Sequence, residues 1–206
     1  MSKQTTSSTR ERILYVARDL ILSRGFSAMS VDMVCAQADI TKGGFFHHFP
    51  NKEALGEAVL RQFWQDAANR QEDILHRHYP AQLDKICAYL DHAMTTYQDP
   101  QLSQGCMLAI FTMGLADTNP DLYAVSRSYF SQWRHDLISM FEQLKTEQAL
   151  TSLDATAWSE LYIAMLEGAL ILAKSSHDPH VIARTLTLYK QQLQLLVSQP
   201  DTSAKP

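Results

Sequence analysis

The sequence predicts an all-α fold of about nine helices, with a small N-terminal three-helix unit containing a helix-turn-helix and a larger helical body behind it. Apolar residues recur at helical rather than alternating spacing nearly throughout, and only seven Gly and seven Pro punctuate 206 residues. The internal prolines also stand where one apolar stripe ends and the next begins. With 46% hydrophobic and 19% charged residues, the chain has enough apolar mass for a substantial core, which disfavours disordered, collagen-like and β-sandwich readings.

Residues 1–8 and 200–206 are polar, lack hydrophobic periodicity and are expected to be mobile tails. In the first helix Ile13, Leu14, Ala17, Leu20 and Ile21 share one face, and Gly25 is a natural C-terminal stop. Ser30 caps a short second helix with Val31, Val34, Cys35 and Ala38 inward, and Asp39-Ile40 breaks it. Thr41 caps a third, with Phe45 and Phe49 at i, i+4, which must end near Pro50 because the residue before a proline resists the helical region. Asn51 caps a long amphipathic fourth helix, 52 to about 77, along which Leu55, Val59, Phe63, Ala67 and Ala68 face one side. Pro80, Pro100, Pro120, Pro179 and the Asp154 cap divide the remainder near 81–98, 104–116, 121–148, 155–176 and 180–198.

The net charge of -4 is unevenly spread: residues 1–60 carry seven Lys/Arg against six Asp/Glu, and the rest eleven against sixteen. A body that repels phosphate behind a slightly positive end is compatible with nucleic acid at that end and leaves the partner open. Three widely spaced cysteines, Cys35, Cys87 and Cys106, suggest neither a disulfide framework nor a zinc knuckle, and fit a reducing cytoplasm. The first residues lack the apolar segment of a secretion signal. The longest nearly apolar runs, 105–116 and 161–173, fall short of a membrane span, so no anchor is expected.

Three short helices, two of them joined by a tight turn, then a long helix, is the layout of a helix-turn-helix reader. Within it the segment SVDMVCAQADITKGGFFHHFPNKEAL, residues 30–55, resembles the N-terminal domain of the TetR/AcrR family of transcriptional regulators; the likeness covers roughly residues 9–68. The matching features are a capping Ser30, apolar Val34, small Ala38, apolar Ile40, the polar start Thr41-Lys42-Gly43, two aromatics before Phe49, and Pro50-x-Lys52-Glu53-x-Leu55. Ile40, Phe45, Phe49 and Leu55 fasten the small core while the polar residues between them face outward.

The resemblance implies a DNA-binding surface of Ser30, Thr41, Lys42, Gly43, Gly44, Phe46, His47, His48 and Lys52, with the helix-turn-helix at about 30–49. Gly43 and Gly44 each cost about 1 kcal/mol of helix propensity relative to Ala, a penalty explained if backbone approaches the groove closely, or by a frayed first turn. Lys42 can reach a guanine edge or a phosphate, Lys52 and Ser30 are expected phosphate clamps, and Arg10 and Arg12 add further candidates. Three residues depart from the family pattern: Cys35 stands for a usual Ala, Asp39 for the usual turn Gly, and Phe46 for a usual Tyr. Phe46 lacks the hydroxyl a phosphate contact would use, which shifts positioning onto Lys52 and the histidines.

By the same resemblance residues 69–198 form an effector-binding and dimerisation domain. The implied partners are a double-stranded palindromic operator, a small-molecule effector and a second copy of the chain, with no metal or cofactor. Candidate effector contacts are Trp64, Met94, Tyr97, Met107, Phe111, Phe130, Trp133, Tyr162 and Met165, an aromatic and methionine mixture suited to an apolar or flat compound, although such residues at helical spacing also make ordinary core. Candidate interface residues are Leu161, Gly168 and Leu172 on one helix and Ile182, Leu186, Tyr189 and Leu193 on the next. Cys106, opening an apolar helix, is either a redox or electrophile sensor or an inert core thiol.

An enzyme reading finds no GxSxG, phosphate loop or HExxH, and His76, His78 and His92 lie scattered on polar faces. The alternative from another class is a helical adaptor whose helix-turn-helix has lost DNA binding and docks a protein instead.

Overall fold

A computed structural model describes residues 8–198, and all regular structure among them is helical: α1 Thr9–Arg24, α2 Val31–Ala38, α3 Lys42–His48, α4 Lys52–His76, α5 Gln82–Thr96, α6 Met107–Leu115, α7 Pro120–Glu147, α8 Ala155–Ser176 and α9 His180–Ser198. The expected tails lie outside the described residues except Ser8. Ser8 closes a capping box: its hydroxyl accepts from the Glu11 N–H at 3.2 Å, while the Glu11 carboxylate accepts from the Ser8 N–H at 2.8 Å. This is why α1 begins four residues before its first buried side chain, Ile13.

Local chemistry sets most other boundaries. Gly25 ends α1 at φ +81°, and the side chains of Ser30, Thr41, Asn51, Asn119 and Asp154 each accept a backbone N–H in the first turn that follows. Helix α5 has no side-chain cap of its own; the Glu147 carboxylate at the end of α7 accepts the Gln82 N–H at 2.9 Å instead.

The helices form two compact units, one comprising residues up to Asp66 with Cys106–Tyr129, the other Ala67–Gly105 with the residues from Phe130 onward. The sequence suggested two consecutive segments, 9–68 and 69–198; in the structure α6 and the start of α7 pack with the N-terminal helices. Phe111 of α6, fully buried, tilts against Phe26 at 5.1 Å, and the Ser126 hydroxyl of α7 donates to the Leu108 carbonyl at 2.8 Å. The second unit is built on the pairing of α8 with α9 and of α9 with α5. Its core is aromatic: Tyr162 lies 5.7 Å from Tyr89 and 5.8 Å from Tyr189, whose hydroxyl donates to the Trp158 carbonyl at 2.6 Å.

Among the described residues one helix, α8, is long and apolar enough to cross a membrane by length and composition alone. Its apolar residues divide between a buried face, with Tyr162, Leu166, Ala169, Leu170 and Ala173, and an exposed one, with Leu161, Ile171 and Leu172. Amphipathic packing accounts for the first face, and the second is open to solvent.

Candidate nucleic-acid interface

The turn between α2 and α3 is tight because Asp39 adopts the left-handed conformation at φ 50° and the Ile40 N–H returns to the Cys35 carbonyl at 3.0 Å. Asp thus performs the role of the turn glycine. Val34, Ala38 and Phe45 are buried to within 1% and Phe49 to 3%, so α3 is anchored by one side. Its other side is open: Thr41, Lys42, Gly43, Phe46 and His47 are exposed, with Gly44 and His48 half-buried. Phe46, 51% exposed, is among the most uncovered aromatics of the unit.

The hydroxyls of Ser30 and Thr41 accept from Met33 and Gly44 at 3.2 and 3.1 Å, which leaves each O–H free to donate to a phosphate oxygen. A side chain at Gly43 would meet only Thr41 Oγ1, at 3.8 Å, and one at Gly44 only Thr41 Oγ1 at 3.5 Å and Ile40 Cβ at 3.8 Å. Both residues have ordinary helical backbone, so neither packing nor φ within the chain calls for glycine there.

The two lysines are engaged in ways the sequence reading missed. The Lys42 ammonium meets the Asp32 carboxylate of α2 at 2.7 Å, and that hydrogen bond, followed by the carboxylate's charge, raises the lysine pKa. Lys52 donates to the Ser27 carbonyl at 3.1 Å and sits 4.6 Å above the Phe26 ring, pinning the start of α4 to the loop after α1; burial lowers its pKa. Arg10 stacks over Phe49 at 5.3 Å and lines an open groove of about 460 Å³ with His48, Pro50 and Arg61. Arg12 is exposed on α1.

The nine candidate effector contacts divide between the two units. Met107 and Phe111, both 0% exposed, are core of the first unit, and Trp64 stacks on Tyr129 there at 5.1 Å. The other six lie in the second unit. Trp133 donates its indole N–H to the Tyr89 hydroxyl at 3.1 Å, with Phe130 at 6.0 Å and Tyr162 at 6.1 Å from its ring. Burial pushes the Tyr89 and Tyr162 hydroxyls above the ordinary tyrosine value. Met94 Sδ accepts from the Thr187 hydroxyl at 3.3 Å, and Tyr97 and Met165 are half-buried. Tyr89 was not singled out from sequence, because nothing local distinguishes it from other apolar positions of α5.

The candidate interface needs correction on α9. Ile182, Leu186, Tyr189 and Leu193 are at most 1% exposed; they face this chain's own core and cannot meet a partner. The opposite face of α9 carries Leu188 at 58% and Leu195 at 53% exposure. On α8, Leu161, Leu172 and the unpredicted Ile171 are 46%, 54% and 63% exposed, and a side chain at Gly168 would find nothing within 4 Å. Seven-residue steps occur in both stripes, 161–168 and 188–195 in the exposed one and 162–169 and 182–189 in the buried one, so spacing alone does not tell them apart.

Cys106 occupies the N-cap of α6 and is 8% exposed. No group of three or more His, Cys, Asp and Glu among the described residues is arranged to hold a metal.

Comparison with known proteins agrees with this fold. The family model for bacterial regulatory proteins of the tetR family matches residues 13–59, and that for the C-terminal domain of LmrA/YxaF-like transcriptional regulators matches residues 83–186. The HTH-type transcriptional repressor NemR of Escherichia coli K12 is 27% identical over 143 residues, 69% of this chain and 70% of that protein. A TetR transcriptional regulator from Chloroflexus aurantiacus has the same fold, with a TM-score of 0.78 at 26% identity over 90% of this chain and 94% of that one. The reduced form of E. coli NemR superposes with a TM-score of 0.71 at 24% identity, covering 89% and 96% of the two chains.

Proposed function

Because the chain belongs to the TetR family of bacterial regulatory proteins, and is a DNA-binding transcriptional regulator rather than an enzyme, we propose that it is a cytoplasmic homodimeric repressor released from a palindromic operator by a small apolar or aromatic effector. The observation that carries the DNA-facing part is the exposed face of α3, where Gly43 and Gly44 leave the backbone bare although nothing inside the chain requires it. Such a surface suits entry into the major groove, with Lys42, Phe46 and His47 beside base edges and Ser30, Thr41, His48 and Lys52 toward the flanking backbone.

Two copies joined through the exposed stripe of Leu161, Gly168, Ile171 and Leu172 on α8 and Leu188 and Leu195 on α9 would bury apolar side chains that water otherwise covers. A two-fold dimer presents two α3 helices about 34–36 Å apart and reads a palindrome. The aromatic surroundings of Trp133 and Tyr162, with Met94, Tyr97, Phe130 and Met165, support an apolar or flat effector; it would act by binding more tightly to the arrangement that does not fit DNA. Selection of bound duplexes from a random library, repeated across salt concentrations, tests the reading. A palindrome bound with steep salt dependence is expected; weak, sequence-blind binding would overturn it in favour of a protein-docking adaptor.

A second reading makes Cys106 the sensor. It is supported by the thiol's place at the N-cap of α6 and by the relative NemR, whose reduced form is among the solved structures of this fold. Under it, an oxidant or electrophile abolishes operator binding by the wild type and leaves Cys106→Ser bound; equal responses of the two would remove it.

A further inference from the structure

Asp32 stands in the first turn of α2 and reaches across the turn to the first residue of α3, where its carboxylate holds Lys42 Nζ at 2.7 Å. Both side chains are largely in water, 65% exposed for Lys42 and 68% for Asp32, so the pair is not needed to satisfy buried charge. It also lies on the surface that α3 presents outward: Lys42 and Phe46 are one helical turn apart on the same face. Positive charge is scarce here, since residues 1–60 carry seven Lys/Arg against six Asp/Glu. Of the two lysines next to α3, Lys52 is tied to the Ser27 carbonyl and Lys42 to Asp32.

We propose that Asp32 is a specificity-determining residue: by holding the Lys42 ammonium against its own carboxylate, it withholds one phosphate contact from non-cognate DNA. On a random duplex only the phosphates are within reach of a loosely seated α3. A lysine with a carboxylate at hydrogen-bond distance gains little by exchanging it for a phosphate, and Asp32 itself repels the backbone. On a cognate site α3 seats in the groove, and Lys42 exchanges the carboxylate for a base-edge acceptor that only the correct sequence supplies. Non-specific affinity is thereby kept low while the operator contact is retained. The inference rests on the reading that the exposed face of α3 meets DNA.

The test is a salt titration of binding to a random 30-bp duplex and to the duplex enriched by selection, using the full-length wild type, Asp32→Asn, Asp32→Glu, Lys42→Gln and the Asp32→Asn/Lys42→Gln pair. Releasing one lysine to the phosphates steepens the log–log salt slope by about 0.9 and tightens binding about fivefold near 0.15 M salt. We expect that change for Asp32→Asn on the random duplex, with a smaller gain on the selected one. It should vanish in the double variant and be absent in Asp32→Glu, which keeps the carboxylate. Lys42→Gln alone should leave the random-duplex slope unaltered. The proposal is overturned if Asp32→Asn leaves that slope unchanged, if Lys42→Gln alone lowers it by about one, or if Asp32→Glu behaves like Asp32→Asn while all variants melt as the wild type does. A wild type whose duplex binding does not respond to salt would instead overturn the DNA-facing reading itself.

Discussion

Replacing Gly43 and Gly44 together by Ala separates stability from function at α3. The added methyl groups would meet Thr41 Oγ1 at 3.8 and 3.5 Å and Ile40 Cβ at 3.8 Å, all ordinary van der Waals distances, and neither residue has positive φ. Inside the chain the substitution therefore only restores helix propensity. That is about 0.5–1 kcal/mol per site, for a total of about 1–2 kcal/mol. At this chain length each kcal/mol moves the melting temperature by about 2–4 °C, so a rise of about 3–6 °C is expected. Against DNA the sign reverses, because two methyl groups placed between backbone and base edges must push α3 out of the groove. Overpacking of about 1–3 kcal/mol corresponds to a loss of roughly 5- to 150-fold in operator affinity. Thermal unfolding and fluorescence anisotropy on the selected duplex measure the two effects on the same preparation. A variant that gains stability and binds the duplex as tightly as the wild type would refute the reasoning, as would one that loses stability.

Gly56→Ala should behave oppositely. Its methyl would lie 2.5 Å from Phe26 Cε2 and 3.2 Å from Leu122 Cδ1, and the Phe26 ring is held by Lys52 and Phe111, so a net loss of about 1–2 kcal/mol is expected in urea unfolding; a gain would mean that the ring swings freely. Gly168→Ala, with nothing within 4 Å, should strengthen α8 by about 1 kcal/mol while raising the dimer dissociation constant at least tenfold in sedimentation equilibrium; unchanged dissociation would remove Gly168 from the interface. Burial, then the Arg70 guanidinium, holds His92 below the ordinary imidazole value of 6.5. The folded state thus favours the neutral ring, and its contribution is complete above pH 6.5 and lost as pH falls through the folded value. The urea midpoint of the wild type should drop between pH 7.5 and 5.5, and His92→Gln should flatten that drop; an equal slope in both proteins would exclude His92 as its source.

Much of the candidate site was legible because its determinants are local. The caps Ser30 and Thr41, the buried pair Phe45 and Phe49, and the break at Asp39-Ile40 each act within four residues, so spacing alone divides inward from outward positions. What was missed involves long side chains and two-faced helices. Lys52 bonds a carbonyl 25 residues away, and Lys42 finds Asp32 across a turn whose course depends on the left-handed Asp39. Ser8 was read as part of a tail although Ser8-x-x-Glu11 is a capping box, a signal present in the sequence and overlooked beside the polar residues before it.

By itself the sequence determined where helices start and stop and which residues fasten the helix-turn-helix, because capping, proline geometry and i, i+4 contact are short-range and act before any long-range partner arrives. Only tertiary structure decided which face of α9 is core. Ile182, Leu186, Tyr189 and Leu193 compete with Leu188 and Leu195 for burial, and the stripe that fits against α8 and α5 wins. Tertiary packing likewise placed α6 with the N-terminal helices, through Phe111 on Phe26. Apolar residues specify that a surface must be covered; what covers it is settled by shape and by the partners that the folded chain brings within reach.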